Sequence, residues 1–113
     1  MKKTDYNLAV YCGARSGNDP LFTERARELG TLCAQKNIGV VYGGGRTGLM
    51  GTVAGATLDA GGVVYGVVTH KLVGLEGVYP GQTTLDIVDT MHQRKIAMIE
   101  KADAFVAMPG GPG

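Results

Sequence analysis

Two adjacent cations, Arg94 and Lys95, stand early in the stretch TMHQRKIAMIEKADAF. Thr90 is a cap residue, so the stretch predicts a helix that runs to about Lys101. At about 100° per residue, Met98, Met91, Ala102, Ile99 and Ile96 share one apolar arc of that helix. Lys95 and His92 fall inside the arc and Arg94 at its margin. A buried cation without a partner is costly, so a lysine on an inner face calls for an anion. The alternatives are a lysine that snorkels to solvent and a histidine satisfied by a core hydrogen bond.

A second constellation is YGGGRTGLMG, in which Gly43, Gly45 and Gly48 satisfy G-x-G-x-x-G between a strand and a helix. Bare backbone amides at a helix start can hold a phosphate. Gly44, Gly45 and Thr47 are the substrate contacts expected from this loop. A dinucleotide site needs an acidic residue at the end of the following strand. That strand instead ends Val68-Thr69-His70-Lys71, and the motif follows the second strand rather than the first. NAD is therefore disfavoured, and ATP hydrolysis too, because no Walker lysine follows. The plain alternative is a tight turn with close helix packing. Glu76 is the only carboxylate between residues 69 and 83. The chain closes on MPGGPG, where Pro109 fixes the exit from a strand and Gly110, Gly111 and Gly113 leave amides open to a ligand.

The elements that must position these residues are punctuated by glycine. The 19 glycines cluster at 43–48, 61–66, 74–81 and 110–113 and are not periodic, which excludes collagen and repeat folds. Strands are predicted at Leu8–Cys12, Ile38–Tyr42, Val63–Val68, Leu85–Val88 and Ala104–Met108. Helices are predicted from Asn18-Asp19-Pro20 to a close at Asn37 and Gly39, with Phe22, Ala26, Leu29 and Cys33 inward, over Leu49–Ala60, and after Thr90. Residues 69–83 read as a loop. Strands alternating with helices predict an α/β domain with a parallel sheet. In such sheets the ligand sits beyond the C-terminal strand ends, and 13–16, 43–47, 69–83 and 109–113 all fall there.

With 113 residues there is room for one domain, 1–113, and a modest core. A net charge of +1 gives no field for nucleic acid or an anionic membrane, and no run reaches a membrane span. The two cysteines, Cys12 and Cys33, have neither metal nor redox spacing and read as buried thiols of a reduced, cytoplasmic protein.

Together, YGGGRTGLMG, MHQRK and DAFVAMPGG resemble the Lonely Guy (LOG) family of cytokinin riboside 5′-monophosphate phosphoribohydrolases, many once labelled possible lysine decarboxylases. The resemblance covers about Leu8 to Gly113. It implies a Rossmann-like three-layer fold, usually a homodimer, and hydrolysis of the N-glycosidic bond of a nucleoside 5′-monophosphate (AMP or an N6-substituted AMP). No metal or organic cofactor is implied. Arg94 would be catalytic, Lys95 and Glu76 would contact the nucleotide, Gly111 and Gly113 would lie in the phosphate loop, and Gly110 would bind substrate beside them. The family motif PGG-x-GT-x-x-E runs past Gly113, so its threonine and glutamate have no position here. The resemblance thus implies a domain lacking its C-terminal part, incomplete after the fifth strand and impaired in activity. Ala14 stands where many members have serine. The alternative is a module that binds a nucleotide or a molybdenum cofactor without turnover.

Overall fold

Runs of valine set the sheet. Val40, Val41, Val64, Val67 and Val68 are β-branched and leave no polar face, as suits strands covered on both sides. The computed structural model describes residues 4, 6–11, 20–44, 48–76, 81 and 84–108. Within them the chain runs β1 (Tyr6–Tyr11), α1 (Pro20–Gln35), β2 (Ile38–Tyr42), α2 (Gly48–Asp59), β3 (Val64–Thr69), α3 (His70–Glu76), β4 (Thr84–Val88), α4 (Met91–Lys101) and β5 (Ala104–Ala107). The sheet order is β4-β3-β2-β1-β5, and every pair is parallel. The register places Leu8 beside Val40 and Ala104, and Val40 beside Val64.

Alternate side chains feed two cores. Val10, Val40, Tyr42 and Val64 pack with Ala26 and Cys33 of α1 and Leu49, Val53 and Ala54 of α2. Ala9, Val41 and Val67 pack on the other face against Met98 of α4. The result is a three-layer sandwich with α1 and α2 on one side and α4 on the other. Each buried Val, Leu or Met contributes about 1.5–3 kcal/mol. The small residues of α2 serve helix–helix contact: a Cβ on Gly30 of α1 would come within 3.0 Å of Ala56. Asn37, at φ 56, and the Asn37 N–H donated to Ala34 close α1 as expected from the sequence. Cys33 is a buried free thiol whose pKa burial pushes up; Cys12 lies outside the described residues.

Two expectations are corrected. Residues 70–76 form the helix α3 rather than loop, because the Thr69 hydroxyl accepts from the Leu72 N–H at 3.2 Å and caps the turn. Gly74, which argued for a loop, sits inside that helix with open space around it. The inner face of α4 is also turned by about 100° from the apolar arc. Arg94, Ala97, Met98 and Lys101 are its buried or half-buried residues, whereas Met91, Ile96, Ile99, His92 and Lys95 are exposed. A half-buried arginine takes the place expected for Lys95 because polar acceptors at the strand ends satisfy it.

Candidate active site

The start of α4 is fixed before any functional side chain is placed. Thr90 is extended, at φ −129° and ψ 159°, and its hydroxyl accepts from the Gln93 N–H at 3.1 Å. The Gln93 side chain in return accepts from the N–H groups of Thr90 and Asp89, at 3.1 and 2.9 Å. This reciprocal box holds the first turn of α4, whose positive end lies at the C-terminal edge of the sheet. Arg94 follows one turn later and points at the strands.

Its guanidinium grips two neighbouring strands by their main chain. Nε donates to the Val67 carbonyl of β3 at 3.0 Å, and Nη2 donates to the carbonyl of Gly43, just beyond β2, also at 3.0 Å. Nη1 lies 3.9 Å from Met91 Sδ. Carbonyl acceptors orient a cation without cancelling its charge, and charge-assisted bonds are stronger than neutral ones. Gly44 then turns away at φ +83°, a left-handed conformation that favours glycine. His70 Nε2, at the start of α3, sits 3.3 Å from Asp89 Oδ1, beside the cap of α4. Both side chains are largely exposed, so this contact adds little to stability.

The sequence-predicted site is therefore placed in part. Arg94 and Gly44 come together at the ends of β2 and β3. Lys95 is exposed on α4 and not on its inner face. Glu76 is the last residue of α3, and its side chain lies outside the described residues. Gly45, Thr47, Gly110, Gly111 and Gly113 also lie outside them. Sequence reasoning missed the Val67 and Gly43 carbonyls. No signal marks a main-chain acceptor in a sequence, since every residue carries one.

An open parallel sheet with helices on both faces and a strand order that reverses between β1 and β5 is a Rossmann-like fold. Its C-terminal strand ends are its ligand edge. The family described as "possible lysine decarboxylase" matches residues 50–113, and the chain belongs to that family, in agreement with the LOG resemblance of its motifs. It is 42% identical over 113 residues to the cytokinin riboside 5′-monophosphate phosphoribohydrolase of Rhodococcoides fascians, covering 99% of this chain and 57% of that protein. It is 42% identical over 108 residues to a phosphoribohydrolase of the same name from Arabidopsis thaliana, covering 94% of this chain and 50% of the relative. The chain thus spans about half the length of the curated relatives it matches. Among solved structures, the molybdenum cofactor carrier protein of Chlamydomonas reinhardtii superposes with a TM-score of 0.80 at 20% identity, over 98% of this chain and 66% of that one. That likeness is one of fold alone. Among the described residues, no helix is long and apolar enough to cross a membrane.

Proposed function

We propose that this chain forms the front part of a nucleoside 5′-monophosphate phosphoribohydrolase, which cleaves the N-glycosidic bond of AMP or an N6-substituted AMP to free base and ribose 5-phosphate. The observation that carries the reading is the half-buried Arg94, gripped by the Gly43 and Val67 carbonyls at the ligand edge of the sheet. Membership of the family and the names of the relatives support it.

The chemistry follows from the bond to be broken. The ribose passes through an oxocarbenium-like state while the base leaves with its electron pair and water adds to the sugar carbon. Arg94 is a poor proton donor, since it stays protonated at all ordinary pH. It acts electrostatically, stabilising charge that develops in the transition state. Lys95, exposed near the start of α4, and the amides of Gly110, Gly111 and Gly113 are assigned to the 5′-phosphate. Gly44, Gly45 and Thr47 are assigned to the substrate, and Glu76 to the nucleotide. The carboxylate that stabilises the ribosyl cation is assigned to the glutamate of the family motif, which has no position in this sequence. The reading requires no metal or organic cofactor.

The decarboxylase in the family's description is not adopted. Decarboxylation of an amino acid needs an electron sink such as pyridoxal phosphate on a desolvated lysine, and Lys95 is exposed. The proposal also includes a homodimer in the cytoplasm. The outward Met91, Ile96 and Ile99 of α4 and the buried free Cys33 support these two parts.

The test compares kcat/KM for AMP, an N6-substituted AMP and adenosine, using the full-length protein. The phosphate contacts predict adenosine to be the poorest substrate by at least about tenfold, given the strength of charge-assisted bonds to phosphate. Equal use of adenosine would overturn the assignment.

A further inference from the structure

The first glycine of YGGGRTGLMG has a task other than holding phosphate. We propose that Gly43 is a positioning residue for Arg94: its missing side chain is the seat in which the guanidinium lies. The proposal rests on the function assigned to Arg94 above and deepens it.

Three observations converge on the seat. A Cβ added at Gly43 would overlap Arg94 Nη2 outright and would lie 3.0 Å from Cζ and 3.6 Å from Nε. Among the described residues the three atoms nearest that Cβ all belong to Arg94, so it is the arginine that excludes a side chain here. The backbone does not require glycine either. Gly44 and Gly48 have φ of +83° and +61°, but Gly43 is outside the left-handed region. Finally, the residue that makes room also supplies the acceptor, because the Gly43 carbonyl takes the Nη2 bond at 3.0 Å.

These facts fit together geometrically. Nε–H and the nearer Nη2–H lie along one flat edge of the guanidinium and reach two carbonyls on adjacent strands. The plane is fixed only if that edge can approach the backbone closely. A methyl group at Gly43 pushes the plane away and weakens both bonds at once. The cation stays at the ligand edge but loses its aim. Misplacing a catalytic group by about 1 Å costs up to about 10²-fold in rate.

The experiment uses the full-length protein and the variants Gly43→Ala, Arg94→Ala and Gly43→Ala/Arg94→Ala. A 15N–1H spectrum reads the Arg94 Nε–H directly, assigned by its loss in Arg94→Ala. The expected result is a protected Nε–H signal in the wild type that moves or broadens in Gly43→Ala, with kcat down by about 10–10². In the melting temperature, Gly43→Ala is expected to cost several degrees beside Arg94 and nothing once Arg94 is alanine, as a coupled pair requires. If Gly43→Ala fails to fold, recovery of folding in the double variant supports the seat, and failure of the double variant overturns it. An unmoved Nε–H signal, or a melting loss that persists without Arg94, also overturns it. The spectrum and the melting cycle do not depend on turnover. An intact seat in a wild-type protein that leaves AMP untouched would therefore overturn the proposed function alone.

Discussion

The two ends of α4 are both tied to the sheet, but in different ways. At its C-terminal end the ties are those of a structural latch. The Asn7 N–H donates to Asp103 Oδ2 at 2.8 Å, and the Asp103 N–H donates back to the Asn7 carbonyl at 2.8 Å. Asn7 Nδ2 donates to the Lys101 carbonyl at 3.0 Å, and Lys101 Nζ meets Asp86 Oδ2 at 3.1 Å. The Thr4 hydroxyl completes the group, 2.6 Å from Asn7 Oδ1 and 3.3 Å from the Tyr65 hydroxyl. Here donors meet acceptors, and a positive charge meets a negative one. At the N-terminal end Arg94 donates to main-chain carbonyls on two neighbouring strands, which fix the plane of its guanidinium. The first arrangement suits the inert edge of a parallel sheet, and the second suits its ligand edge. The difference teaches that position in the fold does not by itself assign a role. What matters is what the side chain meets: a carboxylate for Lys101, the main-chain carbonyls of two strands for Arg94.

Substitutions at the two ends should separate rate from stability. The largest effect is expected for Arg94→Ala in the full-length protein: kcat for AMP hydrolysis should fall by about 10²–10³, as for loss of an electrostatic catalytic group. Arg94→Lys should recover little of this, because an ammonium lacks the flat edge that spans two carbonyls. Steady-state kinetics reads both variants, and near wild-type rates would erase the contrast between the ends. Asn7→Ala should do the opposite. It removes the side-chain donor to the Lys101 carbonyl and one of the two partners of the Thr4 hydroxyl, at a cost of about 1–3 kcal/mol in urea unfolding, while kcat is unchanged. Thr90→Ala removes the cap of α4 and should cost about 1 kcal/mol, with a modest loss of rate because Arg94 rides on that first turn. The smallest effect is expected for Lys101→Ala. A partly exposed ion pair contributes about 0–1 kcal/mol, and the loss should shrink as salt is raised. A Lys101→Ala loss as large as that of Asn7→Ala would show that charge, not hydrogen bonding, makes the latch.

Much of this was legible in the sequence. The order of strands and helices could be read from apolar runs and caps: β2 ends where Ile38–Tyr42 ends, and Thr90 caps α4 as its residue type foretold. The helix α3 was hidden by Gly74 and by the glycines around it, because glycine count is a poor guide where a threonine hydroxyl can cap a turn. The face of α4 was misjudged for another reason. An apolar arc locates the core only when nothing polar waits in the sheet, and here the carbonyls of Gly43 and Val67 draw Arg94 inward. Those acceptors lie 51 and 27 residues from Arg94 in sequence, so no local pattern announces them. The glycine motif was visible, but the use of its first glycine as room for a distant side chain was not.

The measurement that bears most directly on the function is product analysis of AMP incubated with the full-length protein, beside Arg94→Ala. Adenine and ribose 5-phosphate are expected in equal amounts from the wild type, with a far slower release from the variant. Unchanged AMP, or adenosine with free phosphate in place of those two products, would contradict the proposed function.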